Sequence, residues 1–262
     1  MRRIATAVDW PCEVKALFRE QNRGCKLGVS EAIAWFFDHE AEGIILEDDI
    51  LPRPSFFAYC EALLERYRDD PRVVMVSGCN LVSHHHAPAS SYWFSIHTPV
   101  WGWATWRRAW QSYDVNIAAW PQWQAAGHLL RWLDGNRCVA DYWRQQFDRM
   151  ARREIDTWDY QWTFACWRAQ GLTALPAHNL TLNLGFGPDA THTVKGAPAY
   201  VRRSLPRESA WPLIHPPLVS ADREGDRLYQ RHVLGLGPWR CLRRMIKSAV
   251  RAAFGKAAPM QL

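Results

Sequence analysis

The sequence predicts an α/β fold with a mainly parallel, Rossmann-like sheet flanked by helices, and three observations lead to this prediction. Helical and strand-like segments alternate between residues 29 and 77 with the spacing of βαβ units. The strand-like segments are short apolar runs rich in β-branched residues, which is typical of strands buried on both faces. The chain has 262 residues, of which 48% are hydrophobic, so it can bury a substantial core.

The first predicted elements alternate between helix and strand. Residues 29–40 predict a helix, because apolar side chains recur on one face and a serine near the start is a suitable N-cap. Residues 44–46 form a short apolar run that predicts a buried strand. Residues 55–68 predict a second amphipathic helix, and residues 73–77 predict the next buried strand.

The rest of the globular part is predicted to be mainly helical. A strand is expected at residues 92–96, and the stretch 172–193 returns to strand and loop. The helices expected between them cover residues 104–112, 121–134, 138–153 and 158–170. We therefore expect one α/β domain over residues 1–195 and an extended, proline-rich linker over residues 196–238.

The C-terminal segment, residues 239–262, predicts a basic amphipathic helix. Residues 239–251 carry five positive charges and no negative one, and their apolar positions recur at helical spacing. This pattern fits a helix that lies in an anionic membrane surface, and equally a terminal helix that packs on the domain. The basic residues do not interleave with a binding motif, so nucleic acid is not an expected partner.

The cysteine spacing and the hydropathy of the sequence indicate the cellular compartment in which the protein is expected. The seven cysteines are spread singly and form no CxxC pair, so we expect reduced thiols and no zinc site. No stretch reaches the roughly 18 apolar residues of a membrane span, and no apolar signal segment opens the chain. The expected location is the cytoplasm, with peripheral contact at the inner face of the membrane through residues 239–262.

Three acidic residues, Glu47-Asp48-Asp49, directly follow the predicted strand at residues 44–46. Open α/β sheets bind ligands at the carboxyl ends of their strands. Adjacent carboxylates repel one another unless a cation meets them. Mg²⁺ and Mn²⁺ are often held by one or two carboxylates together with substrate phosphates. The triplet therefore predicts a site for a divalent cation and a diphosphate, with a solvated acidic turn as the alternative.

A second pair of acids, Asp156 and Asp159, lies among aromatic residues in the segment 155–162. Such surroundings raise the pKa of a carboxyl group, which suits a general base. Alternatively, Asp156 is the N-cap of a helix and Asp159 is a first-turn acid favoured by the helix dipole. The sequence alone leaves both interpretations open.

Tryptophan and glycine supply two weaker signals. Many of the 16 tryptophans fall within residues 93–167, where they either pack in the core or stack on sugar rings. The glycine- and proline-containing segment 183–193 predicts a loop, in which His192 is either a ligand or phosphate contact or an ordinary structural histidine.

Taken together, these segments resemble the bacterial nucleotide-diphospho-sugar transferases of the GT-A superfamily. They resemble, more distantly, N-acetylglucosaminyltransferase I, which begins complex N-glycan synthesis. The resemblance runs from about Cys12 to His192. The segments that carry it are residues 22–30, Glu47-Asp48-Asp49, residues 100–110 with Gly102 and Trp103, and Trp158-Asp159-Tyr160-Gln161-Trp162.

The resemblance implies a GT-A fold and inverting transfer of a sugar from a nucleoside diphosphate to a glycan or lipid-linked acceptor. Asp49 matches the aspartate that binds Mn²⁺ (or Mg²⁺) in that family, and His192 matches a later metal or phosphate contact. Asp159 matches the catalytic base. The remaining matched positions, expected to contact the donor, are Glu47, Asp48, and Gly102 and Trp103 of the family's Gly-Trp segment on the acceptor side.

The sequence departs from the family at its start. Only 21 residues precede Asn22, which is too short for the family's first strand and nucleotide-binding turn, so we expect an N-terminally truncated domain. This departure favours a second interpretation, in which a degenerate, non-catalytic domain binds carbohydrate or another protein. The retained acids at Glu47, Asp49 and Asp159 favour the enzyme.

Overall fold

The computed structural model of the chain describes residue 2, residues 6–186 and residues 196–243. The strands in these ranges are β1 (Glu42–Ile45), β2 (Ile50–Pro52), β3 (Val73–Ser77), β4 (Tyr92–Ser95), β5 (Trp103–Trp106), β6 (Leu172–Pro176) and β7 (Thr181–Asn183). The helices are α1 (Gly24–His39), α2 (Pro54–Arg66), α3 (Arg107–Trp110), α4 (Trp120–Ala125), α5 (His128–Trp132), α6 (Arg137–Ala151), α7 (Asp159–Arg168), α8 (Ala199–Arg203) and α9 (Arg223–His232).

The protein is an α/β fold with a mixed sheet flanked by helices. Five strands form the main sheet in the order β1-β5-β3-β6-β4, and β2 and β7 form a separate antiparallel pair. Only β3 and β6 are parallel neighbours, and the other three pairings of the main sheet are antiparallel. The prediction of a mainly parallel sheet is therefore wrong, whereas the α/β class is confirmed.

The error arises from β5, which lies between β1 and β3 and runs opposite to both. The alternation of helix and strand did indicate that β1 and β3 point the same way, because each is antiparallel to β5. It could not reveal that a later segment pairs between them. Residues 104–106, the start of the segment predicted as a helix at 104–112, belong instead to β5, whose four residues are all buried. A short apolar run fits a buried strand and a buried helix equally well.

The core is dominated by aromatic side chains. Five tryptophans are among the largest fully buried residues of the described ranges: Trp103, Trp106, Trp120, Trp162 and Trp167. The ring of Trp103 stacks on that of Trp158, with centroids 5.7 Å apart, and contacts Trp162 with centroids 5.5 Å apart. For these residues the packing interpretation of the tryptophan content is confirmed.

The segment predicted as an extended linker, residues 196–238, contains α8 and α9 and packs on the core. Asp222 is the N-cap of α9 and accepts hydrogen bonds from Glu224 N at 3.1 Å and Gly225 N at 3.0 Å. The preceding Ala221 forms a parallel bridge with Phe94 of β4. Tyr229 and Asp226 of α9 are buried. Proline content alone did not indicate this packing, which depends on contacts distant in sequence.

The C-terminal segment is tied to the domain by a disulfide. Cys138, in the first turn of α6, is bonded to Cys241 across a sequence separation of 103 residues, with Cα atoms 5.5 Å apart. The expectation that all cysteines are reduced is therefore wrong, because spacing along the sequence does not show which cysteines meet. Residues 238–243 are helical, and the rest of the predicted C-terminal helix lies outside the described residues. None of the described helices combines the length and apolarity that a bilayer crossing needs.

Candidate functional site

The acidic residues Glu47, Asp48 and Asp49 form the turn between β1 and β2. The amide of Ile50 donates to the carbonyl of Glu47 at 3.1 Å, which closes the turn. The amide of Leu184, just after β7, donates to the carbonyl of Asp49 at 2.8 Å. The turn is thus held by backbone hydrogen bonds, and it follows a strand as the sequence predicts.

Two glycines allow close packing around this acidic turn. Gly102 has φ +77°, and a Cβ there would lie 2.8 Å from Cγ2 of Thr181 and 3.3 Å from Cδ2 of Leu46. A Cβ at Gly185 would lie 2.1 Å from Oδ2 of Asp49. The predicted site residue Gly102 therefore lies beside the acidic turn, and the backbone at Gly185 lies directly against the Asp49 carboxylate.

The structure brings the acidic turn together with Asp159, although the two are far apart in sequence. Burial and, in decreasing order, the charges of Asp49, Asp159 and Asp48 together raise the pKa of Glu47 to about 7. Asp159 is the first residue of α7, and its carboxylate accepts a hydrogen bond from the Thr157 hydroxyl. Three predicted carboxylates and the predicted base therefore share one electrostatic environment.

The negative charge of the turn is not balanced by a protein cation in the described part of the chain. There, no lysine, arginine or histidine forms a salt bridge with Glu47, Asp48 or Asp49. Burial and the neighbouring Asp48 also raise the pKa of Asp49. Oxygen ligands in this arrangement suit a hard divalent cation.

The described residues do not form a complete metal cage. No group of three or more histidine, cysteine, aspartate and glutamate side chains among them could hold a metal ion. A cation at the turn would therefore take further ligands from phosphate and water, as Mg²⁺ often does. The predicted contact His192 lies outside the described residues.

Asp156 has a role that neither sequence interpretation included. Its Oδ2 accepts a hydrogen bond from the amide of Cys25 at 3.1 Å, and its Oδ1 accepts one from the amide of Lys26 at 3.2 Å. Asp156 therefore caps the N-terminus of α1, across 131 residues of sequence. It does not cap α7, whose N-cap is Trp158 without a side-chain hydrogen bond.

Cys25 is a site residue that sequence reasoning missed. Burial raises the pKa of its partly buried thiol, and the charges of Glu47, Asp159 and Asp156 raise it further. The thiol therefore stays protonated at neutral pH and adds no further negative charge to the site. The only signal in the sequence was its position in the segment 22–30, which carries part of the family resemblance.

Trp103 supports the site from within the core. Its side chain has no exposed area, and its ring stacks on Trp158, the residue before Asp159. A direct contact of this ring with a donor would require the ring to move out of the core. Trp103 instead lies in the core, where it packs against the residue that precedes α7.

Two cavities have carboxylates of the site in their walls. The first, which we call the α1 groove, has a volume of about 450 Å³, lies between α1 and β1, and includes Glu47 and Asp48 in its wall. The second, which we call the aromatic cavity, has a volume of about 340 Å³ and includes Asp159. The aromatic residues of the second cavity come from α6, α7, α8, α9 and the loop after β4. Sequence reasoning missed Tyr200 of α8 and Tyr229 of α9, because both lie in the segment predicted as a linker.

The chain matches no protein-family model, and no curated protein matches it either. The functional interpretation therefore depends on the geometry of the site and on the sequence motifs.

Proposed function

We propose that this protein is a metal-dependent glycosyltransferase of the GT-A type, which transfers a sugar from a nucleoside diphosphate to an acceptor hydroxyl. The observation that carries the proposal is the proximity of Glu47 in the acidic turn to Asp159 at the start of α7, close enough for their charges to affect each other and the Cys25 thiol. These residues belong to separate motifs of the family resemblance. Sugar transfer needs charge stabilisation at the leaving diphosphate and a base at the attacking hydroxyl.

The proposed cofactor is Mn²⁺ or Mg²⁺ at the acidic turn. Asp49 is the proposed protein ligand, and Glu47 and Asp48 are proposed to contact the ribose and the sugar of the donor. When bound, the cation would stabilise the charge that develops on the departing diphosphate. The absence of a compensating salt bridge among the described residues supports this fit, because the turn offers oxygen ligands that no protein cation occupies.

Asp159 is the proposed general base. It would accept the proton of the acceptor hydroxyl while the acceptor oxygen forms a bond to the anomeric carbon. The bond from that carbon to the diphosphate oxygen breaks, and the diphosphate leaves with the electron pair, which inverts the configuration. The hydrogen bond from Thr157 to the Asp159 carboxylate supports this role, because it orients the carboxylate. The position of Asp159 and Glu47 in the walls of different cavities fits separate donor and acceptor sides.

The second candidate function is a non-catalytic domain that binds carbohydrate. The observation that favours it is the position of β1 at the edge of the main sheet. Residues 6–23 contain no helix or strand, and Leu46 after β1 is 40% exposed, so the α1 groove lacks a covering strand in the described chain. A nucleotide would then be held less tightly than in a fully enclosed pocket.

Calorimetry with UDP and GDP, each with and without Mn²⁺, tests the proposal. We expect binding that depends on Mn²⁺ and that is lost in Asp49→Ala. Asp38→Ala is the matched control, because Asp38 is an exposed acid in the last turn of α1, outside the acidic turn. Release of the diphosphate from a panel of UDP- and GDP-sugars in the presence of methyl glycosides then separates the enzyme from the binding domain. Equal nucleotide binding with and without Mn²⁺ would remove the metal site.

Contact with an anionic membrane through residues 239–262 also stays a prediction. The test is co-sedimentation of the full chain, and of a truncation that ends at Pro238, with anionic vesicles at low salt. Each basic residue near anionic lipid contributes about 1 kcal/mol, so we expect the full chain to bind and salt to release it. Equal partitioning of both forms would leave the packing interpretation.

A further inference from the structure

The aromatic cavity has features of a ligand site beyond the presence of Asp159. Its wall combines the loop after β4 with residues of α6, α7 and α9, including His97, Trp143, Thr163 and Tyr229. Its volume of about 340 Å³ is within the usual range for small-molecule pockets. The cavity is therefore large enough for one or two sugar rings.

The wall contains buried polar groups whose hydrogen-bonding capacity is unused. His97 is only 1% exposed, and neither of its ring nitrogens makes a hydrogen bond of normal geometry with a described residue, although the nearby backbone of Asp226 raises its pKa against the effect of burial. The indole nitrogen of Trp143 is likewise buried without a partner in the described part of the chain. Buried polar groups are normally paired, and each exception calls for an explanation such as a ligand. The ring of His97 is held in place by stacking on Tyr229, with centroids 4.4 Å apart.

His97 offers both a donor and an acceptor. Burial lowers its pKa to about 3, so the imidazole is neutral at physiological pH, with one N–H and one bare nitrogen. A hydroxyl group can satisfy either nitrogen, because it both donates and accepts. The nitrogens are shielded from water, so a ligand would reach them as side chains of the wall rearrange, which is common when pockets fill.

The charge of the wall indicates which class of ligand fits. Among the described residues that line the cavity, Asp159 is the only acid, and none is a lysine or an arginine. The Asp159 carboxylate in the wall would repel the negative charge of a phosphorylated ligand. The hydroxyls of Thr98 and Thr163, 2.6 Å apart, add polar atoms between the aromatic faces. Aromatic faces with scattered hydroxyls match a neutral sugar ring, which has apolar C–H faces and a polar rim.

We infer that the aromatic cavity binds the neutral, non-phosphorylated saccharide end of the acceptor, with His97 as the residue that selects it through hydrogen bonds. The inference deepens the proposed function and rests on it for the role of Asp159, which would face the reacting hydroxyl. It assigns the acceptor to the class of uncharged glycans at its reacting end.

The test is calorimetry and saturation-transfer NMR of the full chain with methyl glycosides of glucose, galactose, mannose and the two common N-acetylhexosamines. Each is measured alone and with UDP and Mn²⁺, because some acceptors bind only after the donor. We expect binding of at least one glycoside, and weaker binding of its 6-phosphate. His97→Phe keeps the stacked ring but removes both nitrogens, and we expect it to weaken binding by about tenfold or more.

Three further variants keep the result interpretable. His128→Phe is the matched control, because His128 is an exposed imidazole that stacks on Trp123 with centroids 5.6 Å apart, outside the cavity. Leu234→Trp at the partly buried rim should block the cavity without opening the core. His97→Gln keeps a hydrogen-bond donor and an acceptor, so it should retain part of the binding. Thermal unfolding of every variant verifies that it is folded.

The outcomes separate the two proposals. If no glycoside binds, alone or with UDP and Mn²⁺, while UDP itself binds with Mn²⁺, the inference about the cavity is overturned and the proposed function stands. If glycosides bind and His97→Phe weakens them while UDP does not bind, the cavity is a saccharide site and sugar transfer is overturned. Tighter binding of the 6-phosphates, or unchanged binding in both His97→Phe and Leu234→Trp, would also overturn the inference.

Discussion

Replacing Glu47 by glutamine should stabilise the metal-free protein at alkaline pH. The pKa of Glu47 is about 7 in the folded chain, compared with an ordinary value of 4.5. Each tenfold change in proton affinity corresponds to about 1.4 kcal/mol, which gives about 3 kcal/mol as an upper limit. Glu47 is partly exposed, so solvent screening reduces the expected gain to about 1–2 kcal/mol. For a domain of this size, that gain corresponds to about 2–8 °C in Tm.

The sign follows from the direction of the change in pKa. Because the folded pKa of this acid is raised, the folded protein holds the proton more tightly than the unfolded chain. The stability contributed by the protonated form is complete below about pH 4.5 and is lost as the pH rises through about 7. The difference in Tm between Glu47→Gln and the wild type should therefore be small at pH 4.5 and reach its full value near pH 8.

The assay is thermal unfolding followed by circular dichroism from pH 4.5 to 8, with a chelator present. Glu61→Gln is the matched control, since Glu61 is an exposed glutamate on α2 and its substitution should not produce the same pH dependence. Adding Mn²⁺ and UDP should raise the Tm of the wild type, because a ligand that binds only the folded state stabilises it. A Tm difference that does not change with pH, or a less stable Glu47→Gln at pH 8, would refute the electrostatic description of the site.

Three further variants test other parts of the site and fold. Asp159→Asn should lower kcat by about 10²–10⁴-fold with UDP binding unchanged, and activity within a few-fold of the wild type would show that the base lies elsewhere. Asp156→Ala should destabilise the fold by about 0.5–2 kcal/mol in chemical denaturation because α1 loses its cap, whereas Asp38→Ala should not. Cys241→Ser should cost about 2–4 kcal/mol, and an equal cost in Cys12→Ser, at an exposed free cysteine, would contradict a specific role for the disulfide.

Local patterns in the sequence predicted the elements around the acidic turn well. The strand expected at residues 73–77 matches β3, and the helix expected at 55–68 matches α2 within two residues at its C-terminal end. The run at residues 44–46 overlaps β1, which begins at Glu42. Each of these segments has a periodicity or an apolar run bounded by clear end signals, so neighbouring residues alone define it.

The features that the sequence could not predict depend on partners distant in the chain. The antiparallel insertion of β5, the cap that Asp156 provides to α1 and the Cys138–Cys241 disulfide each join segments separated by dozens of residues. The buried His97 stacked on Tyr229 is a fourth case. Composition and spacing describe what a segment can do, but they do not identify which other segment meets it.

If the α1 groove and the aromatic cavity bind donor and acceptor as proposed, the cap at the start of α1 would couple their occupancy. Asp156 accepts hydrogen bonds from the first amides of α1, and later turns of this helix line the α1 groove. Asp156 also lies three residues before Asp159, which is part of the wall of the aromatic cavity. A nucleotide that displaces α1 would also shift the segment from Asp156 to Asp159, which carries the proposed base. By thermodynamic reciprocity, a saccharide that fixes the base would tighten or loosen the nucleotide by the same factor. The two substrates of such a protein would then bind in a preferred order, and Asp156→Ala would make their binding independent.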